Sequence, residues 1–351
     1  MHRLPLAPPV RRDRCSFIAD AWYAIALARE VPRRRPLAVR RLGRDLALFR
    51  DASGRIAALA ATCPHRGADL GQGRVRAGTL ECPYHGFRFA ADGRCTAVPC
   101  EGPDFRVPAA LAATPFVVRE AHGWIWLWHG QPRDTYPEIP WRTELPDDIT
   151  TRTSDGTLTW DVGLPLAIES NLDIHHTPFA HRILSPGFGA RLDPYSAELD
   201  GDTIRSRGTL RRDQRTTGVR FKLECTFPAL LYGHFGTIHL CAGLTPIDAT
   251  HTWIALRYFC DVPLIGGLLA WLGGWSERRL VQPADLAMQR AAARSGLHLH
   301  ECRFVPADRA ILLWYSLYRR RVATPTPADA DECDSGSRGS AAAPRGPRDP
   351  C

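Results

Sequence analysis

Residues 169–181 read Glu169-Ser-Asn-Leu-Asp173-Ile-His175-His176-Thr-Pro178-Phe-Ala-His181. Spacings of four and three put Glu169, Asp173 and His176 on one face of a helix. Thr177-Pro178 is expected to stop that helix, because proline has no amide donor and restricts the residue before it. A break there lets His181 swing back towards His176. Two neutral imidazoles and one carboxylate from elsewhere make a facial triad for non-haem iron(II), with open positions for oxygen. His175 points roughly 100° away from His176 on a helix, towards a supporting partner or solvent.

A second metal signature lies upstream. Cys63-Pro-His65 and Cys82-Pro-Tyr-His85 are separated by sixteen residues, and each pair stands beside a glycine, Gly67 or Gly86. Two such loops can close over one centre. Two cysteines on one iron and two histidines on the other describe a Rieske [2Fe–2S] cluster. A structural zinc site is the rival, although zinc fingers group cysteines with cysteines and histidines with histidines. Cys95 and Cys100 read as buried thiols or strand-end packing.

Around these motifs the chain falls into an α+β pattern. Residues 1–16 are rich in proline and arginine and are expected to be mobile. Residues 17–131 carry short strand-like runs: Trp22–Ala26, Leu37–Val39, Asp45–Phe49, Ile56–Leu59 and the aromatic Trp124–Trp128. They predict a small antiparallel β domain. Residues 132–150 are proline-rich and read as a linker. Strand-like alternation resumes at Thr151–Val162 and continues at Glu198–Leu210, Val219–Phe227, Leu230–Leu244 and Thr252–Phe259. A large antiparallel sheet follows, and it needs a helical cover. The segment after Trp275 is the candidate, with Pro283 suited to a first helical position and Gly296 to a stop. Asp285 lies in its first turn, where acidic residues are favoured in any case. Pro306-Ala-Asp308 is a similar pattern, so the third iron ligand stays open between the two. Ile311–Tyr318 is a last apolar element, and residues 323–351 have the composition of a disordered tail.

Composition narrows the function classes. The 351 residues include 45 Lys and Arg against 37 Asp and Glu, for a net charge of +8. Lys222 is the single lysine. The arginines are scattered, without the aromatic interleaving of a nucleic-acid binder. Eleven cysteines at irregular spacing are no secreted disulfide framework and point to a reducing, cytoplasmic setting. The N-terminal residues lack the apolar core of a signal peptide. The longest apolar run, Val262–Trp275, has fourteen residues with four glycines, too short to span a bilayer, and reads as a core helix or pocket wall, with a monotopic membrane contact as the lesser alternative.

The two motifs in this order resemble those of the catalytic α subunits of Rieske non-haem iron oxygenases, in style the homotrimeric, vanillate demethylase-like monooxygenases. The resemblance covers about residues 17–320, with Phe87 standing where tryptophan is commoner. It implies a Rieske domain followed by a helix-grip (START-like) antiparallel sheet with a long C-terminal helix. It implies that Cys63 and Cys82 hold one cluster iron, and His65 and His85 the other. His176, His181 and Asp285 would hold the mononuclear iron(II), and Asp173 would bridge to the cluster of a neighbouring subunit through His85. Glu169 falls where the family keeps a polar residue near the iron. The implied activity is hydroxylation or oxidative demethylation of a small apolar, aromatic or polycyclic, substrate by O2. Electrons would come from NAD(P)H through a reductase, with or without a ferredoxin, and the chain would form a head-to-tail trimer. Ring dihydroxylation and desaturation are alternatives within the family. A Rieske electron carrier and a ligand-binding helix-grip module are alternatives outside enzymes.

Overall fold

The structure, a computed structural model, describes residues 11–12, 15–146, 152–182, 189–212 and 218–322. Its first part is all β. It holds β1 (Ala21–Leu27), β2 (Leu37–Arg41), β3 (Arg44–Arg50), β4 (Ile56–Ala60), β5 (Arg74–Arg76), β6 (Thr79–Glu81), β7 (Arg88–Phe89), β8 (Cys95–Ala97), β9 (Pro115–Phe116), β10 (Val118–Ala121) and β11 (Trp124–His129). They form three small sheets with orders β1-β11-β10, β2-β3-β4-β9 and β5-β6-β7-β8. The last of these carries one of the two Cys/His loops, between β6 and β7.

The second part is built on one sheet of seven antiparallel strands. These are β12 (Thr153–Trp160), β13 (Arg191–Asp200), β14 (Thr203–Arg211), β15 (Val219–Thr226), β16 (Leu230–Phe235), β17 (Ile238–Pro246) and β18 (Thr252–Cys260), in the order β12-β18-β17-β16-β15-β14-β13. Two expected strands are each split in two. Glu198–Leu210 turns back at Gly201 and Leu230–Leu244 at Gly236, both glycines with positive φ (59° and 64°). A chain reversal needs that backbone conformation, and glycine adopts it without a Cβ clash.

Helices α1 (Leu164–Leu172), α2 (Thr177–Ala180), α3 (Gly266–Ser276), α4 (Gln282–Ser295) and α5 (Arg309–Val322) complete the fold. Pro283 and Gly296 sit at the two ends of α4 as expected. The sheet, however, is covered by α1, α3 and α5 rather than by α4, which packs against α1. The reason lies in their buried faces. α5 buries Ile311, Trp314, Tyr315, Leu317 and Tyr318, and α1 is buried nearly all round, whereas α4 buries only Gln282 and Asp285.

Trp124, Trp126 and Trp128 of β11 point one way, into a core with Trp22, Tyr232 and Trp253. Ile125 and Leu127 point the other way, into the core under α1 and α5. Strand alternation thus lets one strand serve two cores. The side chains of Asp155 on β12 and Arg257 on β18, both fully buried, pair within the seven-stranded sheet, and Trp124 of the first part joins them. Arg257 Nε and Nη2 donate to Asp155 at 2.8 and 2.7 Å, and Trp124 Nε1 donates to the same carboxylate at 3.3 Å.

Three other expectations change. Part of the expected mobile N-terminus is anchored: Arg12 pairs with Glu169, the Cys15 amide donates to the Ala249 carbonyl, and the Ser16 amide donates to Tyr318 Oη. Residues 1–10 and 13–14, and the tail from residue 323, lie outside the described residues. The proline-rich segment after residue 131 packs Tyr136, Ile139 and Trp141 onto the tryptophan core. The apolar run Val262–Trp275 is no core helix. Gly266, Ala270 and Gly274, spaced by four, face the sheet, and a Cβ on Gly266 would meet the Cys260 carbonyl at 2.5 Å. Small residues take the close contact, which leaves Leu268, Trp271, Leu272 and Trp275 between 43% and 58% exposed. Among the described residues no helix is long and apolar enough to cross a membrane.

Candidate metal centres

The two Cys/His loops share one backbone design. The Gly67 amide donates to the Cys63 carbonyl (2.9 Å) and the Gly86 amide to the Cys82 carbonyl (3.1 Å). Both glycines have positive φ, 75° and 73°. Each loop therefore curls tightly behind its cysteine and throws the following histidine outward. Cys63 and Cys82 are buried, His65 is exposed and His85 is half-buried. The two imidazole rings lie 4.8 Å apart between centroids, at 65° to each other. Phe87 stacks on His65 at 4.5 Å and 11°, a flat support for that ring. Burial, with Cys82 beside it, pushes the Cys63 thiol up to about 11. Two sulfurs inside and two imidazoles outside are the donor set of a Rieske cluster, with the histidine-bound iron nearer the surface. Cys95 is buried in the adjacent core, while Cys100 is exposed.

The second centre is assembled from distant segments. Helix α1 ends one turn earlier than expected, because Asp173 leaves the helical region (φ −80°, ψ 109°). Its Oδ1 then accepts from the amides of His175 (2.9 Å) and His176 (3.2 Å), capping the next turn. Pro178 opens α2 rather than closing α1, as the first turn of a helix tolerates a missing amide. Glu169, Asp173 and His176 consequently do not share a helix face. Glu169 is held by Arg12 and by the hydroxyl of Tyr315, and it lines the cavity that Asp173, His176 and Asp285 also line.

The single turn of α2 brings His176 and His181 to a ring separation of 5.3 Å at 79°. Asp285, from the first turn of α4, meets them: its Oδ1 is 2.8 Å from His181 Nε2 and 3.4 Å from His176 Nε2. One ligand atom from each of the three residues falls within 4.8 Å of the others. His181 Nε2 and Asp285 Oδ1 are buried and make no hydrogen bond despite their closeness. Lone pairs aimed at a common third point behave in this way, and a buried orphan acceptor needs such a partner. The donor set fits a divalent iron. The rival carboxylate, Asp308, instead approaches His175 Nε2 at 3.7 Å.

Asp173 is the hub beneath this site. Its carboxylate contacts His175 Nδ1 at 3.0 Å and His176 Nδ1 at 3.5 Å. Burial alone would raise its pKa, but the bonds from His175 and His176 outweigh burial and hold it well below the usual carboxylate range. Burial lowers His176, yet Asp173 and Asp285 push it up to about 10. A cation at the triad therefore competes with a proton on His176. A cavity of about 370 Å³ adjoins the site. Its wall is mixed, with Met288, Phe304 and Ile311 beside Arg12, Arg303 and Asp308, rather than purely apolar. Arg12 and Tyr315 carry no local signal that would have linked them to Glu169, since their contacts span 157 and 146 residues of chain.

Comparison with known proteins agrees with both centres. Residues 21–115 match the Rieske [2Fe-2S] domain. The chain is 32% identical over 248 residues to the oxygenase component of dicamba O-demethylase from Stenotrophomonas maltophilia, covering 69% of this chain and 65% of that protein. It is 36% identical over 264 residues to the oxygenase component of chloroacetanilide N-alkylformylase from Rhizorhabdus wittichii, covering 74% and 66%. The matched stretch thus spans just under two thirds of each relative's length. The fold matches the crystal structure of dicamba monooxygenase bound to dicamba, with a TM-score of 0.71 at 24% identity, over 88% of this chain and all of that one. With a Rieske domain at residues 21–115, a His-His-Asp site on a helix-covered antiparallel sheet, and these relatives, the chain is similar in sequence and fold to the Rieske non-haem iron oxygenases.

Proposed function

We propose that this chain is the terminal oxygenase component of a Rieske non-haem iron system. It hydroxylates or oxidatively demethylates an apolar aromatic or polycyclic substrate. Overall, one C–H bond, O2, two electrons and two protons give one C–OH and water; on a methyl ether the product collapses and releases the methyl carbon as formaldehyde. The observation that carries this reading is the convergence of His176, His181 and Asp285 in a chain that also has a Rieske domain. Bound there, an iron(II) would supply oxygen activation at open coordination positions, and the cluster one electron at a time. Two relatives are named oxygenase components, one of them an O-demethylase, which supports the demethylating branch.

The chain's own residues have distinct tasks. Cys63 and Cys82 hold one cluster iron, and His65 and His85 the other. His176, His181 and Asp285 form the iron(II) face. Asp173 fixes His176 through Nδ1, so that Nε2 faces Asp285. Its remaining lone pairs can accept from His85 of a neighbouring subunit, which requires a head-to-tail trimer. Residues 17–131 act as the cluster domain and 151–322 as the catalytic domain. A reductase, with or without a ferredoxin, delivers electrons from NAD(P)H. The nine cysteines in the described residues are all free, which supports a cytoplasmic setting.

The test is turnover of a panel of aromatic methyl ethers and polycyclic compounds with a reductase and NADH, with product and peroxide both measured. Oxygenated product coupled to O2 uptake is expected. NADH oxidation that yields neither product nor peroxide would count against oxygenase chemistry.

A further inference from the structure

Three arginines converge on one carboxylate of the cluster-bearing sheet, and three more lie beside them. Arg74 and Arg76 of β5 and Arg88 of β7 converge on Glu81 at 2.6, 3.5 and 3.2 Å. The Val75 amide donates to the Arg34 carbonyl at 3.0 Å, so the run Arg33-Arg34-Arg35 lies alongside β5. Those three side chains are exposed and form no ion pair among the described residues. Glu81 is buried, while Arg74, Arg76 and Arg88 keep much of their side chains exposed, so the surface presents their guanidinium groups. Together these six arginines make a basic patch on a chain of net charge +8. Such a patch raises the local concentration of anionic partners and orients their approach.

Its position says which anionic partner. Glu81 closes β6 and is bonded to Cys82, a cysteine of the second cluster loop. The arginines of β5 and β7 flank that loop in the same sheet. The patch borders one exposed ring, Tyr84, which stacks on His85 in that loop, rather than the series of rings that binds single-stranded nucleic acid.

We infer that this arginine patch is the docking surface for an acidic electron-donor protein, a [2Fe–2S] ferredoxin or a reductase domain of that kind. The inference rests on the Rieske reading proposed above. One electron leaves the donor's reduced cluster and enters this chain's cluster; the donor is oxidised, this chain is reduced, and no atom changes hands.

The experiment measures binding of an oxidised, acidic plant-type ferredoxin to the cluster-loaded protein. The variants are Arg33→Glu/Arg34→Glu/Arg35→Glu, the same positions changed to lysine, and Arg207→Glu on exposed β14 as a charge control. Binding to the native protein is expected to weaken about ten-fold between roughly 50 and 300 mM salt. The triple glutamate variant should lose about ten-fold at low salt, the triple lysine variant less than about two-fold, and Arg207→Glu less than about two-fold. Dithionite should reduce the cluster equally fast in all of them. Salt-independent binding, equal losses in the control and triple glutamate variants, or tighter binding of a single-stranded oligonucleotide at the same arginines would overturn the inference. Failure of dithionite to produce a reduced Rieske spectrum in the native protein would instead overturn the reading on which it rests.

Discussion

The two centres are built in opposite ways. Cys63, His65, Cys82 and His85 come from two loops of one repeated design, twenty-three residues from first to last. The lone-iron site takes His176 and His181 from one turn and Asp285 from a helix more than a hundred residues later. A local centre is written into sequence spacing and is held by loop backbone. A long-range centre depends on the packing of α1, α4 and the sheet, and on buried groups that no spacing announces.

The largest effect should come from breaking the local centre. Cys82→Ser is expected to abolish the visible absorption of the cluster while the His-His-Asp site still binds one iron(II), because the two share no ligand. Loss of both metals together would show that the regions fold as one unit. Next in size is Asp173→Asn, which keeps the shape but removes the charge that His175 and His176 share. Metal content should persist and turnover should fall by about 10–100-fold. Turnover near the native rate would remove Asp173 from the coupling role.

The seam between the regions can be tested through stability. Asp155→Asn leaves Arg257 fully buried without its counter-charge, at a cost of about 3–5 kcal/mol. Thermal stability should drop accordingly, and a drop of less than about 1 kcal/mol would mean that the pair on which Trp124 rests holds neither the sheet nor the seam.

The smallest effect concerns the support beneath α4. Tyr258 Oη and Gln282 Nε2 donate to Glu277 at 2.6 and 2.8 Å. Burial raises the Glu277 pKa above its ordinary 4.5, more than these two bonds lower it. The folded state therefore keeps a proton that the unfolded state releases. Its contribution is intact below pH 4.5 and is lost as pH rises from there towards the raised value. Glu277→Gln should flatten that decline in melting temperature, since Gln282 can turn its unpaired Oε1 to meet the new amide. Identical pH slopes in the two proteins would contradict the assignment.

The same contrast explains what was legible in the sequence. The cluster loops and the His176–His181 pair were readable because their ligands are near neighbours in the chain. Asp285 was readable only as one of two helix-start carboxylates, since choosing it over Asp308 requires the packing of α4 against α1. Glu169 was placed on the iron face because its four-residue spacing to Asp173 suggests an unbroken helix. The break at Asp173 removes the shared helix face, although Glu169, bonded to an arginine 157 residues away, still lines the same cavity as His176 and Asp285. The run Val262–Trp275 misled because apolar content does not say which side of a helix meets its neighbour; glycine and alanine took that contact. The split strands did carry a signal, at Gly201 and Gly236, which continuing apolar residues outweighed.

The most direct test counts metal. Native protein should hold roughly three irons and two acid-labile sulfides per chain. Asp285→Ala should hold roughly two irons with an unchanged cluster spectrum. Zinc in place of iron, or an iron count that Asp285→Ala leaves untouched, would contradict a lone iron held by His176, His181 and Asp285.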